Sequence, residues 1–317
     1  MPFLQVSPFY EFQLDIIRGL QSIASDGLTF IVELITMIGE EYIAIFILAT
    51  IYLLFNKRVA QKVIFEIAFA QSLNGLIKNF VKEPRPHQMA DDVIDMRHAE
   101  GYSFPSGHSQ MTGVWLNGLA IEIDKAKRIK WPYIVANVLL VMVMFSRMYL
   151  GQHFLIDVVV GGALGVGSAF LMSYLYDKFE SKGKLELLYQ LVCSIFAPFA
   201  IYFIITCKDY GEFGYSFFKM FGLLVGVALA YGFEKKYVNF TYDIPVWKKV
   251  LRILGVVVVI LGIKSGLGAI FTLIGDACVA QGEWGHAVYN LLHTIRYGLI
   301  AFGAMGFYPW VFKKLNF

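Results

Sequence analysis

Charge is what this chain most conspicuously lacks. Of its 317 residues only 16% are Asp, Glu, Lys or Arg, while 57% are hydrophobic and the mean hydropathy is +0.60. A soluble domain of this length carries about a quarter charged residues, so the composition excludes a soluble enzyme and points to an integral membrane protein. The net charge of +3 is too small for a nucleic-acid binder. Three cysteines, none in a CxxC pair, exclude a disulfide framework and a thiolate zinc site. Cys193 falls in an apolar run and reads as a buried thiol. Cys207 and Cys278 fall in two loops on one side, where a disulfide or two free thiols both fit. No 20–50-residue repeat, low-complexity tract or soluble domain is visible. The start, MPFLQVSPFYEFQLDIIRGL, lacks the basic and apolar regions of a cleavable signal peptide. It is expected to be mature sequence, an amphipathic helix on the membrane surface.

What is present is a series of apolar runs near the 20 residues needed to cross a bilayer. The expected spans are 40–56, 61–80, 107–124, 131–149, 153–176, 187–206, 214–233, 249–273 and 288–312, nine in all, and the short run 26–38 is expected at the interface or as a half-buried approach to the first span. Five alternate joints, 56–62, 124–130, 177–184, 234–252 and 312–317, hold 17 of the chain's 27 lysines and arginines. Positive joints stay cytoplasmic, so the N-terminus is expected outside and the C-terminus inside. The remaining chemistry gathers on the opposite, outer side, where charged groups at membrane depth are costly and usually functional.

Three clusters lie there. In KNFVKEPRP (78–86), Lys78 ends a span, and Pro84 and Pro86 keep the helix from running on through Arg85. Alone, this also reads as a snorkelling helix end. In GYSFPSGHSQ (101–110), Ser106 is a natural N-cap, and Gly107 and His108 open the next helix. Amide groups at a helix start bind anions, so the stretch reads as a phosphate cradle holding a proton donor, or as a capped helix with a surface histidine. In SRMYLGQHFLID (146–157), His153 and Asp157 are four apart and are expected to share a helix face, the carboxylate fixing the imidazole tautomer. Arg147, just before, can fork two hydrogen bonds onto a phosphate. A structural His–Asp pair is the plainer account. Lys82, His87, Arg97 and His98 read as solvated loop residues.

Together the clusters resemble the signature of the type 2 phosphatidic acid phosphatase (PAP2) superfamily, which includes the vanadium haloperoxidases. Lys78-x6-Arg85-Pro86, Pro105-Ser106-Gly107-His108 and Ser146-Arg147-x5-His153-x3-Asp157 match its three motifs in order. The resemblance implies an all-α polytopic fold: a six-helix phosphatase core over 40–206, preceded by an interfacial segment, 1–39, and followed by three additional C-terminal transmembrane helices, 207–317. It also implies hydrolysis without metal or cofactor. His153 would attack phosphorus to give a phosphohistidine, Asp157 would hold the imidazole, and His108 would protonate the leaving oxygen. Lys78, Arg85, Ser106, Gly107 and Arg147 would bind the phosphate oxygens. Two histidines and an aspartate could also ligate zinc, but three neighbouring cations oppose it.

A site at the outer boundary suits an amphiphile, so a lipid phosphate or pyrophosphate is the first expectation for the substrate, with membrane lipids as partners. A soluble sugar phosphate is the second, because nine spans also resemble the glucose-6-phosphatase branch. A catalytically inactive relative that binds or transports lipid is the third. Lys219, Lys264, His293 and Arg296 interrupt the last apolar runs. They read either as ion pairs with Glu212, Asp276 or Glu283, or as groups that bind substrate or gate the site. Glycines 161, 162, 165 and 167 suggest close helix packing behind the catalytic residues.

Overall fold

The computed structural model describes residues 7–99, 101–206, 215–279 and 285–315. Every regular element among them is helical: α1 (Pro8–Ser22), α2 (Asp26–Thr36), α3 (Glu41–Leu54), α4 (Lys57–Val81), α5 (Pro86–Met89), α6 (Gly107–Lys127), α7 (Trp131–Tyr149), α8 (Leu155–Glu180), α9 (Leu185–Thr206), α10 (Tyr215–Phe233), α11 (Val246–Gly262), α12 (Gly268–Val279), α13 (Gly285–Phe302) and α14 (Tyr308–Lys314). Short π-helical stretches, Glu234–Val238, Ile263–Leu267 and Gly303–Phe307, extend α10, join α11 to α12, and join α13 to α14. This is an all-α polytopic membrane protein.

Five helical segments are long and apolar enough to cross a membrane by themselves: Trp131–Tyr149, Leu155–Glu180, Leu185–Thr206, Ser216–Val238 and Val246–Val279. A sixth counts if Asp26–Gly39 and Glu41–Leu54, bent by 49°, form one broken span. The run 26–38 is α2 and part of a 3-10 turn leading into α3, an approach to the first expected span. Among the other expected spans, α4 and α6 have the length, 25 and 21 residues, but carry many polar groups. Lys62, Glu66, Ser72 and Asn74 on α4, and Gln110, Thr112 and Asn117 on α6, are all buried. Polar side chains that turn toward protein lower a helix's hydropathy without exposing it to lipid.

The chain divides into two compact units: Met1–Ala44 with Ile77–Ala169, and Ile45–Leu76 with Phe170–Phe317. In the first, α6 packs on α7, and α2 and α1 also pack against α7. Gly39 sits so close to α6 that a Cβ there would stand 2.9 Å from the Cβ of His108. Trp115 donates to the Ile38 carbonyl at 3.2 Å on the same seam. The N-terminal helix is more than a surface float: Leu14 and Ile17 are fully buried with Val93 and Phe154, and Gln13 accepts a hydrogen bond from the Ile156 amide at 2.9 Å. Burying such aliphatic side chains contributes roughly 1.5–3 kcal/mol each.

In the second unit α10 packs along α13. Cβ atoms on Gly222 and Gly226 would stand 2.2 Å from the carbonyls of Thr294 and Gly298, so small residues let the backbones touch. The joints 56–62, 177–184 and 234–252 meet at one end of this unit. Arg58 pairs with Asp177 and Glu180 at 2.8 and 2.6 Å, the fully buried Lys62 with Asp177 at 2.6 Å, and Lys57 with Glu234 at 2.8 Å. Cys207, Glu212 and Glu283, with the disulfide and two of the ion pairs expected of them, lie outside the described residues.

Candidate active site

All eight motif residues with expected roles belong to the first unit. The turn between α7 and α8 carries His153, which is 2% exposed. Contrary to the sequence expectation, His153 precedes α8 rather than sharing its face, because the helix begins at Leu155. Asp157 lies in the first turn of α8 and reaches back. Its Oδ2 accepts from the Phe154 amide at 2.9 Å and stands 3.3 Å from His153 Nδ1. The same carboxylate thus satisfies an amide at the helix start and orients the imidazole. With Nδ1 facing Asp157, the Nε2 lone pair is left for chemistry, an assignment made from the hydrogen-bond network. Arg85 Nη1 stands 3.5 Å from that Nε2.

Ser103 is the member of this group that sequence reading missed. Fully buried, its hydroxyl donates to Asp157 Oδ2 and lies 3.3 Å from His153 Nδ1. Asp157 Oδ1 has no hydrogen-bond partner among the described residues, so every contact of the carboxylate falls on one oxygen. A serine two residues before Pro105 was visible in the sequence, but nothing in its spacing from Asp157 marked it.

Among the described residues, backbone carbonyls and a hydroxyl accept hydrogen bonds from the cations Lys78, Arg85 and Arg147. Helix α4 ends at Val81, and α5 restarts at Pro86 with Arg85 as its N-cap. Lys78 Nζ donates to the carbonyls of Tyr102 at 2.5 Å and Ser103 at 3.0 Å. Arg85 donates to the carbonyls of Gly101 and Gln152, both at 2.9 Å. Burial pushes its guanidinium down to about 10, so it stays charged at neutral pH. Arg147, 3% exposed, donates to Thr36 Oγ1 at 2.9 Å, and its buried Nε has no hydrogen-bond partner among the described residues. Lys78, Arg85, Arg147 and His108 all lie within electrostatic reach of the His153 ring.

Ser106 is the N-cap of α6, as its sequence context predicts. Its Oγ accepts from the Ser109 amide at 3.4 Å and from the Ser109 hydroxyl at 3.0 Å, leaving its own proton to donate. Its amide donates to the Asp157 carbonyl at 3.0 Å, which ties the start of α6 to the start of α8. Three of the four glycines on α8 make the close contacts expected of them. A Cβ on Gly161 would stand 2.5 Å from the Ser106 carbonyl, one on Gly165 2.3 Å from that of Gln110, and one on Gly162 3.3 Å from Met144 Sδ, whereas Gly167 faces open space.

Two outlying contacts brace the site. Tyr10 on α1 donates to Glu83, whose carbonyl accepts from the Ser103 amide at 2.8 Å. Arg97, expected to be solvated, pairs with Glu40 at 2.5 Å, whereas His98 is exposed, 3.8 Å from Asp95. Lys219, Lys264, His293 and Arg296 belong to the second unit. There Arg296 Nη2 donates to His293 Nδ1 at 3.0 Å.

Residues 59–181 match the PAP2 superfamily, and residues 218–317 match the PAP2 superfamily phosphatase transmembrane extension. The chain belongs to the PAP2 superfamily. Among curated relatives, it is 35% identical over 117 residues to phosphatidylglycerophosphatase B of Bacillus subtilis (strain 168), covering 35% of this chain and 53% of that protein. It is 26% identical over 157 residues to undecaprenyl-diphosphatase of Sulfolobus acidocaldarius, covering 49% of this chain and 71% of that one. The chain thus spans about half the length of the first of these PAP2 relatives. Among solved structures, the transmembrane PAP2 type phosphatidylglycerolphosphate phosphatase from Bacillus subtilis aligns at 25% identity with a TM-score of 0.49, over 55% of this chain and 89% of that one.

Proposed function

We propose that this PAP2 protein is a membrane phosphatase that hydrolyses a lipid phosphate or lipid pyrophosphate, at the outer face, through a phosphohistidine on His153. The observation that carries the reading is the setting of His153: Nδ1 on Asp157 at 3.3 Å and Nε2 beside Arg85 at 3.5 Å. A buried imidazole oriented at one nitrogen and facing cations at the other is suited to attack a phosphoryl group.

The chemistry follows from these positions. Nε2 attacks phosphorus in line as the bond to the leaving oxygen breaks, and that oxygen takes its proton from His108. The equatorial oxygens, which carry the charge of the transition state, lie against Arg85, Arg147, Lys78, the Ser106 hydroxyl and the Gly107 amide at the start of α6. Water, giving a proton to His108, then attacks the phosphohistidine, and the N–P bond breaks to release inorganic phosphate. His108 ends as it began. The core over 40–206 carries this reaction and 207–317 forms a three-span extension.

Two observations support the lipid and the side. The names of the two relatives describe lipid phosphate and lipid diphosphate hydrolases, which favours an amphiphile over a sugar phosphate. Three of the basic joints meet in one set of ion pairs, which fits a single cytoplasmic side with the motif residues at the other ends of their helices.

The test is phosphate release by purified full-length protein, with EDTA present, from phosphatidate, phosphatidylglycerol phosphate, a polyprenyl pyrophosphate and glucose 6-phosphate. The expected result is turnover of an amphiphile that His153→Ala abolishes and Lys82→Ala does not. Wild-type turnover in folded His153→Ala would refute the mechanism, and a preference for glucose 6-phosphate would refute the lipid.

A further inference from the structure

We propose that Arg97, tethered by Glu40 beside His108, binds the second phosphate of a lipid diphosphate and so makes the site selective for a leaving group that is itself a phosphate. The proposal rests on the phosphohistidine reading of His153 and narrows its substrate class. Arg97 lies outside the three motifs.

One turn of chain sets its place. The 3-10 turn Met37–Gly39 and the two residues that flank it run along the first unit in three steps. Thr36 Oγ1 accepts from Arg147 Nη1 at 2.9 Å, a Cβ on Gly39 would stand 2.9 Å from His108 Cβ and 3.0 Å from the His108 carbonyl, and Glu40 Oε1 accepts from Arg97 Nη2 at 2.5 Å. Arg147, His108 and Arg97 are therefore met in that order. The segment that carries Arg97 is fixed from its other side. The Met96 amide donates to the Leu150 carbonyl at 3.2 Å, and the amide and carbonyl of Ile94 bond the Gln21 side chain at 3.0 and 2.7 Å.

The electrostatics follow the same order. Among charges, His108 feels Arg147 and then Arg97 most strongly, ahead of Arg85 and Lys78, whereas His153 feels Arg85, Lys78 and Arg147. Arg97 thus stands on the side of the acid, away from the nucleophile. In-line attack by His153 Nε2 sends the leaving oxygen to the far side of phosphorus, where His108 protonates it. The atom attached to that oxygen then lies next beyond His108, where Arg97 reaches. In a monophosphate ester that atom is an alkyl carbon, which a guanidinium does not recognise. In a diphosphate it is the second phosphorus, with charged oxygens. As the N–P bond to His153 forms, the bond from phosphorus to the bridging oxygen breaks, its electron pair stays on that oxygen, the His108 proton joins it, and the lipid monophosphate departs against Arg97.

The guanidinium has the donors for this. Among the described residues it makes one hydrogen bond, from Nη2 to Glu40. Nη2 carries two protons, so the other still forms a fork with Nε–H or with Nη1 for a pair of phosphate oxygens. The side chains of Arg97 and Glu40 are 36% and 19% exposed. An ion pair so exposed adds little stability, but it holds the guanidinium over the site instead of in solvent.

The test compares two substrates that differ only in that phosphate, farnesyl diphosphate and farnesyl monophosphate, with full-length protein in detergent. The wild type is expected to show the higher kcat/KM on the diphosphate. Arg97→Gln is expected to lower that value about tenfold or more and to leave the monophosphate nearly unchanged, with Arg97→Lys, which keeps the charge and loses the fork, in between. His98→Ala, at the exposed neighbour, is the control. An equal loss on both substrates makes Arg97 a brace of the turn and overturns the proposal, as does an unchanged diphosphate rate or a wild type that prefers the monophosphate. Should Arg97→Gln fail to fold, the ratio of the two rates in Arg97→Lys decides by the same criterion. His153→Ala is assayed on both substrates. Turnover that survives it refutes the phosphohistidine, whereas His153-dependent turnover indifferent to Arg97 refutes this proposal alone.

Discussion

Gly161→Ala tests whether the start of α6 is a catalytic part. The new Cβ would stand 2.5 Å from the Ser106 carbonyl, 3.2 Å from its amide nitrogen and 3.3 Å from its carbonyl carbon. Ordinary contact begins at 3.4 Å, so the carbonyl must retreat by about 0.9 Å. Nothing flexible is available to absorb the clash, since all three neighbours are backbone. The displaced residue carries the hydroxyl assigned to phosphate and is followed by the amide and imidazole of Gly107 and His108. A misplacement near 1 Å costs about 10²-fold in rate, while overpacking costs about 1–3 kcal/mol of stability. The expected result is kcat/KM down by about 10²-fold in a protein that still purifies as a folded species with a lowered Tm. Gly167→Ala is the control: nothing lies within 4 Å of its Cβ position, so activity is retained. The assay is initial-rate phosphate release across substrate concentration, alongside thermal unfolding in the same detergent. Wild-type kcat/KM in Gly161→Ala would refute the claim that the seam between α6 and α8 positions the chemistry.

Two further outcomes follow from contacts around His153. Ser103→Ala removes the hydroxyl shared between Asp157 Oδ2 and His153 Nδ1. Because it acts on the orientation of the nucleophile, kcat is expected to fall about tenfold with KM little changed, and Ser103→Thr to restore most of it; a rise in KM alone would place Ser103 on the substrate instead. Tyr10→Phe removes the donor to Glu83, whose hydrogen bond and charge push the Tyr10 phenol up to about 12. A raised pKa means the folded state holds the proton to higher pH, so this contribution is complete below pH 10 and disappears as pH rises toward 12. Tm measured from pH 9 to 12 is expected to fall more steeply in the wild type than in Tyr10→Phe, and parallel curves would rule the contact out as a source of stability.

How much of this was legible in the sequence depends on the physical origin of each feature. The motif residues were legible because their spacings are fixed by short local structures: Ser106 as an N-cap, and Pro86 at the first position of α5 after a broken helix. The spacing of His153 and Asp157 was read correctly, but its geometric basis was wrong. A capping reach from the first turn of α8 to the Phe154 amide, rather than a common helix face, brings the carboxylate to the imidazole. The N-terminal helix was legible as amphipathic. Its apolar stripe could not reveal that Leu14 and Ile17 pack beside Phe154 and Val93. Hydropathy also understated α4 and α6, whose buried polar residues contribute the same numbers as exposed ones. Ser103 and Thr36 were illegible because each acts across the chain, on Asp157 and Arg147 respectively, where no periodicity connects donor to acceptor.

The same long-range contacts couple the second and third motifs structurally. The Ser106 amide donates to the carbonyl of Asp157 at 3.0 Å, so the residue that opens the proposed phosphate cradle hangs on the residue whose carboxylate faces His153. Gly161 and Gly165, one and two turns beyond Asp157, then admit the backbone of α6 along the next two turns. A side chain at either glycine would separate the helices, stretch that amide bond and move the cradle away from His153. Under the proposed mechanism, the glycines on α8 thus help set the distance between His153 and the start of α6.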